Sequence, residues 1–227
     1  MTAGALIRPR LEAVLFDLDG TLIDSAPDLA GACNDMRLSR GRPALPYAAL
    51  RPMVGSGARG MVGRAFDVVS PDPRFPALRD EFLQRYEDRM TQETRIFADV
   101  ARVLARFAEC EMPWGIVTNK ARRFSEPLVA ALGLAAASAA LVSGDSTPHA
   151  KPHPEPLFEA ARRLRLEPAD CWYVGDDLRD VQAGRAAGMT TVIAGWGYLG
   201  LGEPIDAWGA DHVVELPLQL LTLLDMA

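Results

Sequence analysis

This sequence predicts an α/β protein in which a parallel sheet is covered by helices on both faces and a block of helices is inserted after the first strand. Three observations carry that prediction. Short apolar runs recur at 13–16, 115–117, 139–142, 172–174 and 190–194, with a weaker one at 212–214. From the second run onward, helical patterns at 121–132, 155–166 and 178–187 separate them. Strands that are apolar on both faces and alternate with helices belong to a parallel sheet buried on two sides. Between the first run and the second, about 90 residues read as helices only, far more than an ordinary crossover.

Taken in order, Ala13-Val14-Leu15-Phe16 is the first strand. Ser25 stands where an N-cap belongs for a helix over 27–39, with Pro27 and Asp28 in its first turn. Gly41, Pro43 and Pro46 end that helix, and further helices are expected at 47–53, 58–66 and 75–90. These make a four-helix cap over residues 25–95, with 1–24 and 96–227 forming the α/β core. The Ala-rich stretch 128–142 is broken by Gly133 and Ser138 and is shorter than the roughly 20 residues that span a bilayer. It reads as the end of a helix followed by a strand.

Composition excludes several classes of function. The chain has 227 residues, is 49% hydrophobic and carries a net charge of −6, as befits a globular protein with a substantial core. An acidic balance without basic runs or aromatic-basic interleaving argues against nucleic acid and against an anionic membrane surface. Cys33, Cys110 and Cys171 are far apart and odd in number, and a reducing cytoplasm suits them. Arg8 and Arg10 are not followed by an apolar run with a small-residue cleavage site, so no signal peptide is expected. Monomer and homodimer are both open.

The chemistry concentrates at predicted strand ends, where open parallel sheets bind ligands. Asp17-Leu18-Asp19-Gly20-Thr21 follows the first strand and puts two carboxylates two residues apart on one side of the chain. Two acids so close persist only if a cation neutralises one or a proton stays on the other. Thr118-Asn119-Lys120 follows the second strand and offers hydroxyl, carboxamide and backbone donors to phosphate oxygens. Lys151 opens a proline-stiffened Lys-Pro-His-Pro-Glu-Pro segment that can hold its ammonium against an anion. Gly175-Asp176-Asp177-Leu178-Arg179-Asp180 follows the fourth strand, and its three acids call for a nearby cation. Asp176 is placed to share a metal with Asp17. Asp177 or Asp180 can orient Lys151 or a water, or else cap the next helix.

These four elements, in this order, resemble the haloacid dehalogenase superfamily, specifically its phosphatases with a helical cap inserted after the first motif. The resemblance implies a Rossmann-like three-layer core and a magnesium ion. It implies that Asp17 is the nucleophile, Asp19 the general acid/base, Thr118 and Asn119 phosphate-binding residues, Lys151 the stabilising cation and Asp176 an acidic metal ligand. The backbone carbonyl of Asp19 would be a further ligand, with Thr21, Asp177 and Asp180 around this set. The acid at Asp19 argues against the dehalogenase and phosphonatase branches, and Thr21 leans toward phosphatases over sugar phosphomutases of the β-phosphoglucomutase type. A catalytically silent binding protein is the other alternative.

In the expected cap, Gly55-Ser56-Gly57-Ala58-Arg59-Gly60 matches a dinucleotide-binding fingerprint in form only, because no strand precedes it. Ser56 and Arg59 are instead candidates for contact with the substrate, a small phosphomonoester. The cap resembles that of phosphoglycolate phosphatases. The Asp-Asp-Leu-Arg-Asp stretch, 117–127 and Trp208-Gly209-Ala210-Asp211 resemble N-acetylmuramic acid 6-phosphate phosphatases. Trp196 and Tyr198 could line the cleft or pack at the domain boundary, His149, His153 and His212 lack metal-ligand spacing, and Arg122 and Arg123 read as a solvated helix face.

Overall fold

The computed structural model describes residues 11–69 and 71–226; Arg8 and Arg10 lie outside them. Six parallel strands form the central sheet in the order β5-β4-β1-β6-β7-β8. They are β1 (Ala13–Phe16), β4 (Trp114–Val117), β5 (Ala140–Val142), β6 (Cys171–Gly175), β7 (Thr190–Ala194) and β8 (His212–Val214). Alternation along β1 shows why both faces are covered. Val14 and Phe16 pack with Val103 and Phe107 of α5 (Ala98–Glu109) and Leu128 of α6 (Arg122–Ala131). Ala13 and Leu15 pack with Leu157 of α7 (Glu155–Leu164) and Ala183 of α8 (Leu178–Ala187). This is the three-layer, Rossmann-like architecture expected. Helix α5 lies at the end of the long helical stretch between the first two sheet strands in sequence, yet it packs in this core.

A two-stranded antiparallel ribbon, β2 (Ile23–Asp24) with β3 (Arg95–Ile96), marks where the chain leaves the sheet and returns. Between them lie α1 (Ala26–Leu38), α2 (Tyr47–Leu50), a 3-10 turn at Arg51–Ser56, α3 (Gly57–Phe66) and α4 (Phe75–Glu87). These helices have a hydrophobic core of their own, built on Met36, Leu50, Met61, Phe82 and Tyr86 and joined by Phe124 and Tyr198 from the sheet side.

Ser25 occupies the N-cap position of α1 without capping it. Its hydroxyl turns to Asp19 instead, and the Ser25 and Ala26 amides donate to the Tyr198 hydroxyl at 2.8 and 3.0 Å. Asp28 is fully buried and accepts bonds from the Glu93 amide and from the Thr94 amide and hydroxyl, tying the insertion's exit to its entry. The stretch 128–142 is the end of α6 followed by β5, and among the described residues no helix is long and apolar enough to cross a membrane.

Candidate active site

The carboxyl ends of β1, β4 and β6 bring Asp17, Thr118 and Asp176 together with Lys151 and Asp180 at the floor of one cavity. Oxygens of Asp17, Asp176 and Asp180 all lie within 4.8 Å of one another, and all three residues are buried. Lys151 Nζ reaches Asp17 and Asp180, both at 2.7 Å, the Tyr173 hydroxyl at 2.8 Å and the Val117 carbonyl at 3.0 Å. An ammonium has three protons. The set closes if Lys151 donates to both acids and to Tyr173, whose own proton then goes to the Val117 carbonyl at 2.9 Å.

Lys151 balances one of the three acids and the others stay unbalanced, which governs how the group ionises. Burial pushes the Asp17 carboxyl up to about 6, against the pull of Lys151 and with the help of Asp180 and Asp19. Burial, then Asp17 and Asp180, raise Asp176 well above the usual carboxylate range. Burial alone would lower Lys151, but Asp17 and Asp180 hold it above its ordinary value. Asp176 accepts the Thr21 hydroxyl at 2.9 Å and the Tyr198 amide at 2.7 Å. Gly20 turns with a φ of +89°, and a Cβ there would stand 2.2 Å from Asp176 Oδ2. Only glycine combines that conformation with so close an approach. A deficit of positive charge among hard oxygen donors fits a small divalent cation such as magnesium.

Asn119 lines the same cavity, and its carboxamide accepts the Lys151 amide and donates to the Lys151 carbonyl, both at 2.9 Å. It therefore fixes the lysine's backbone. Of the two acids beside Asp176, Asp180 reaches Lys151, while Asp177 caps α8 and forks onto Arg179 at 2.7 and 2.9 Å. The two also form a reciprocal capping box, so the capping and orienting readings both hold for Asp180. Burial works against ionisation of Asp177, yet its bonds to Arg179 hold it below the usual range. Arg179 also donates to the Gly55 carbonyl, joining the sheet side to the inserted segment.

Asp19 sits in a second pair. Both its oxygens bind Lys120 Nζ, at 3.0 and 3.1 Å, and one also accepts the Ser25 hydroxyl. Burial opposes the charge on Lys120, but Asp19 keeps the ammonium above its ordinary value. In sequence Lys120 reads only as part of a donor-rich turn, and its place over the Tyr86 ring has no local signal.

The cavity above this floor has a volume of about 380 Å³. Its roof is largely apolar: Leu29, Val54, Ala58, Phe82, Leu83 and Tyr86 from the inserted helices, with Phe124 from α6. Ser56 lines it, whereas Arg59 is exposed and is not among the lining residues. Arg123, exposed on α6, and Arg179 are the arginines among the lining residues. Trp196 and Tyr198 do not line the cleft. The Trp196 indole donates to the Thr21 carbonyl, and Tyr198 joins Asp176 to the entry of α1, as the packing alternative held.

The family model for haloacid dehalogenase-like hydrolases matches residues 14–194. The N-acetylmuramic acid 6-phosphate phosphatase of Pseudomonas putida is 44% identical, the alignment covering 96% of this chain and 98% of that protein. The phosphoglycolate phosphatase of Xanthomonas campestris is 46% identical over 92% of this chain and 94% of its own length. Among solved structures, that of a predicted phosphoglycolate phosphatase from Haemophilus somnus superposes with a TM-score of 0.82 at 26% identity, covering 94% of this chain and 98% of that one. With the strand-end acids, the buried lysine and the inserted helices already in place, these matches show that the chain belongs to the haloacid dehalogenase-like hydrolase family and is a phosphoric monoester hydrolase.

Proposed function

We propose that this chain is a magnesium-dependent phosphomonoesterase that hydrolyses N-acetylmuramic acid 6-phosphate in the cytoplasm. The observation that carries the substrate is the cavity: about 380 Å³ under an apolar roof. Small-molecule pockets run from roughly 300 to 1,000 Å³, and a two-carbon phosphorylated acid would leave most of this one unfilled. The similarity to the Pseudomonas putida enzyme supports the same reading. Three unpaired cysteines support a reducing compartment. Residues 25–95 act as a cap that sets specificity, while 1–24 and 96–227 carry the chemistry.

Asp17 and Asp176, with the Asp19 backbone carbonyl, would hold the magnesium, which when bound neutralises charge on the phosphoryl oxygens. Asp17 attacks phosphorus in line; a bond forms from its carboxylate oxygen, the ester P–O bond breaks, and Asp19, once it has taken a proton from solvent in place of part of its pairing with Lys120, gives that proton to the departing oxygen. Asp19 then takes a proton from the water that attacks the resulting aspartyl phosphate, and the bond between phosphorus and the Asp17 oxygen breaks, freeing inorganic phosphate and restoring the Asp17 carboxylate. Lys151 stands beside the transferred group, its Nζ fixed by Asp180 and Tyr173 and its backbone by Asn119, and Thr118 presents a hydroxyl. Charge stabilisation by so fixed a cation needs no reorganisation during the reaction.

A second reading, phosphoglycolate hydrolysis, is favoured by the similarity to the Xanthomonas campestris enzyme. Magnesium-dependent phosphate release from both compounds, side by side and with Asp17→Asn as blank, separates the two. A higher kcat/KM on the sugar supports the proposal. Preference for phosphoglycolate selects the second reading, and activity on neither removes both.

A further inference from the structure

Lys151 and Lys120 are built alike. Each ammonium is buried and each pairs with an aspartate of the first motif, Lys151 with Asp17 and Lys120 with Asp19. Each lies over a tyrosine ring, at 5.4 Å from the Tyr173 centroid and 4.7 Å from that of Tyr86. They differ in what completes them. Lys151 reaches a second carboxylate, Asp180, and the Tyr173 hydroxyl is bonded within the same group. Lys120 has Asp19 as its one ion-pair partner among the described residues. The Tyr86 hydroxyl lies beside this ammonium and finds no acceptor for its own proton among the described residues, although Tyr86 is only 2% exposed.

Tyr86 comes from α4 and Lys120 from the loop after β4, and both line the cavity. Ring packing fixes Tyr86 between Phe82 and Phe124, with centroids 6.5 and 5.6 Å away. Lysine offers donors only, so the hydroxyl beside it lacks an acceptor, and Asp180 shows which acceptor completes a lysine of this kind.

We propose that Tyr86 and Lys120 together bind a carboxylate of the substrate, on the part that departs with the leaving oxygen, and so join the inserted helices to the sheet. The inference rests on the reading above that the substrate is a phosphorylated acid, and it makes Tyr86 a specificity-determining residue. Esters without the acid leave the hydroxyl without an acceptor, which a site built around a hydrogen bond disfavours.

The test compares N-acetylmuramic acid 6-phosphate with N-acetylglucosamine 6-phosphate, which lacks the lactyl acid, in the wild-type protein and in Tyr86→Phe. The wild type is expected to prefer the acid, and Tyr86→Phe to shrink that ratio of kcat/KM by about tenfold, mainly through KM. A uniform loss on both compounds leaves the ratio intact, marks a structural role and overturns the inference. If the wild type hydrolyses neither sugar, the sugar reading falls by itself, and the same ratio is taken between 2-phosphoglycolate and ethyl phosphate. A reduced ratio in Tyr86→Phe then supports carboxylate binding, and an unchanged one overturns it.

Discussion

The floor and the roof of the cavity are made by different means. The floor packs acids, lysines and a tyrosine into a buried network in which the geometry of each group is fixed by two or three others. The roof is a set of apolar side chains from helices with a core of their own, carrying one hydroxyl that lacks an acceptor. In a buried polar network the position of each group depends on its partners, whereas an apolar wall can be altered residue by residue. Chemistry is therefore expected to fail abruptly with changes to the floor, and affinity to shift gradually with changes to the roof.

The largest effect expected is from Asp17→Asn. Loss of the nucleophile should reduce phosphate release at least about a thousandfold, while removal of one of three crowded acids leaves the melting temperature unchanged or higher. Circular dichroism melts beside the activity assay measure both. Unfolding of this variant would mean that Asp17 serves the fold more than the reaction, and the contrast would be lost at its centre.

Asp180→Asn comes next. It removes one acid from Lys151 and half of the capping box of α8. Lys151 keeps Asp17, so the stability lost is that of the cap, about 1 kcal/mol, and a slightly lower denaturation midpoint is expected together with a kcat reduced by about a hundredfold as Lys151 loses its anchor. A fall in KM-dependent terms alone would show that Lys151 needs no such anchor.

How far each half was legible follows from how it is made. The six strands were readable because each is a short apolar run, and the motif residues after β1, β4 and β6 because acids or a donor-rich turn follow those runs directly. The roof was readable only as helices. The bonds that bring the halves together join residues far apart in sequence: Tyr198 to the entry of α1, Arg179 to Gly55, Lys120 to the ring of Tyr86. Ser25 shows the same limit at short range. Its N-cap position was clear, but a carboxylate brought close by the turn at Gly20 competes for its hydroxyl and wins. The β2–β3 ribbon, two residues on each side, is too short for any periodicity to register.

Arg179 lies between the two regimes, since it forks onto Asp177 below and holds the Gly55 carbonyl above. Arg179→Lys keeps the charge but cannot reproduce the planar fork. A rise in KM of about five- to tenfold with kcat within about twofold is expected, read by steady-state kinetics on the preferred substrate. An equal fall in kcat would place Arg179 with the floor.

The smallest effect sharpens the contrast most. Arg59 has the glycine-rich setting that makes it attractive in sequence, yet it is exposed and stands outside the cavity lining, while Ser56, three residues earlier, is inside. A solvent-exposed arginine interacts with a distant anion through water and salt, and at physiological ionic strength that attraction is screened within about 8 Å. Arg59→Ala should therefore change kcat/KM by less than about twofold, with no greater effect on an acidic substrate than on p-nitrophenyl phosphate. A tenfold loss confined to acidic substrates would mean that the inserted helices rearrange to bring Arg59 into the cavity when substrate binds. In that case the roof's specificity would lie in motion, and its fixed apolar wall would explain less of the selectivity than its shape implies.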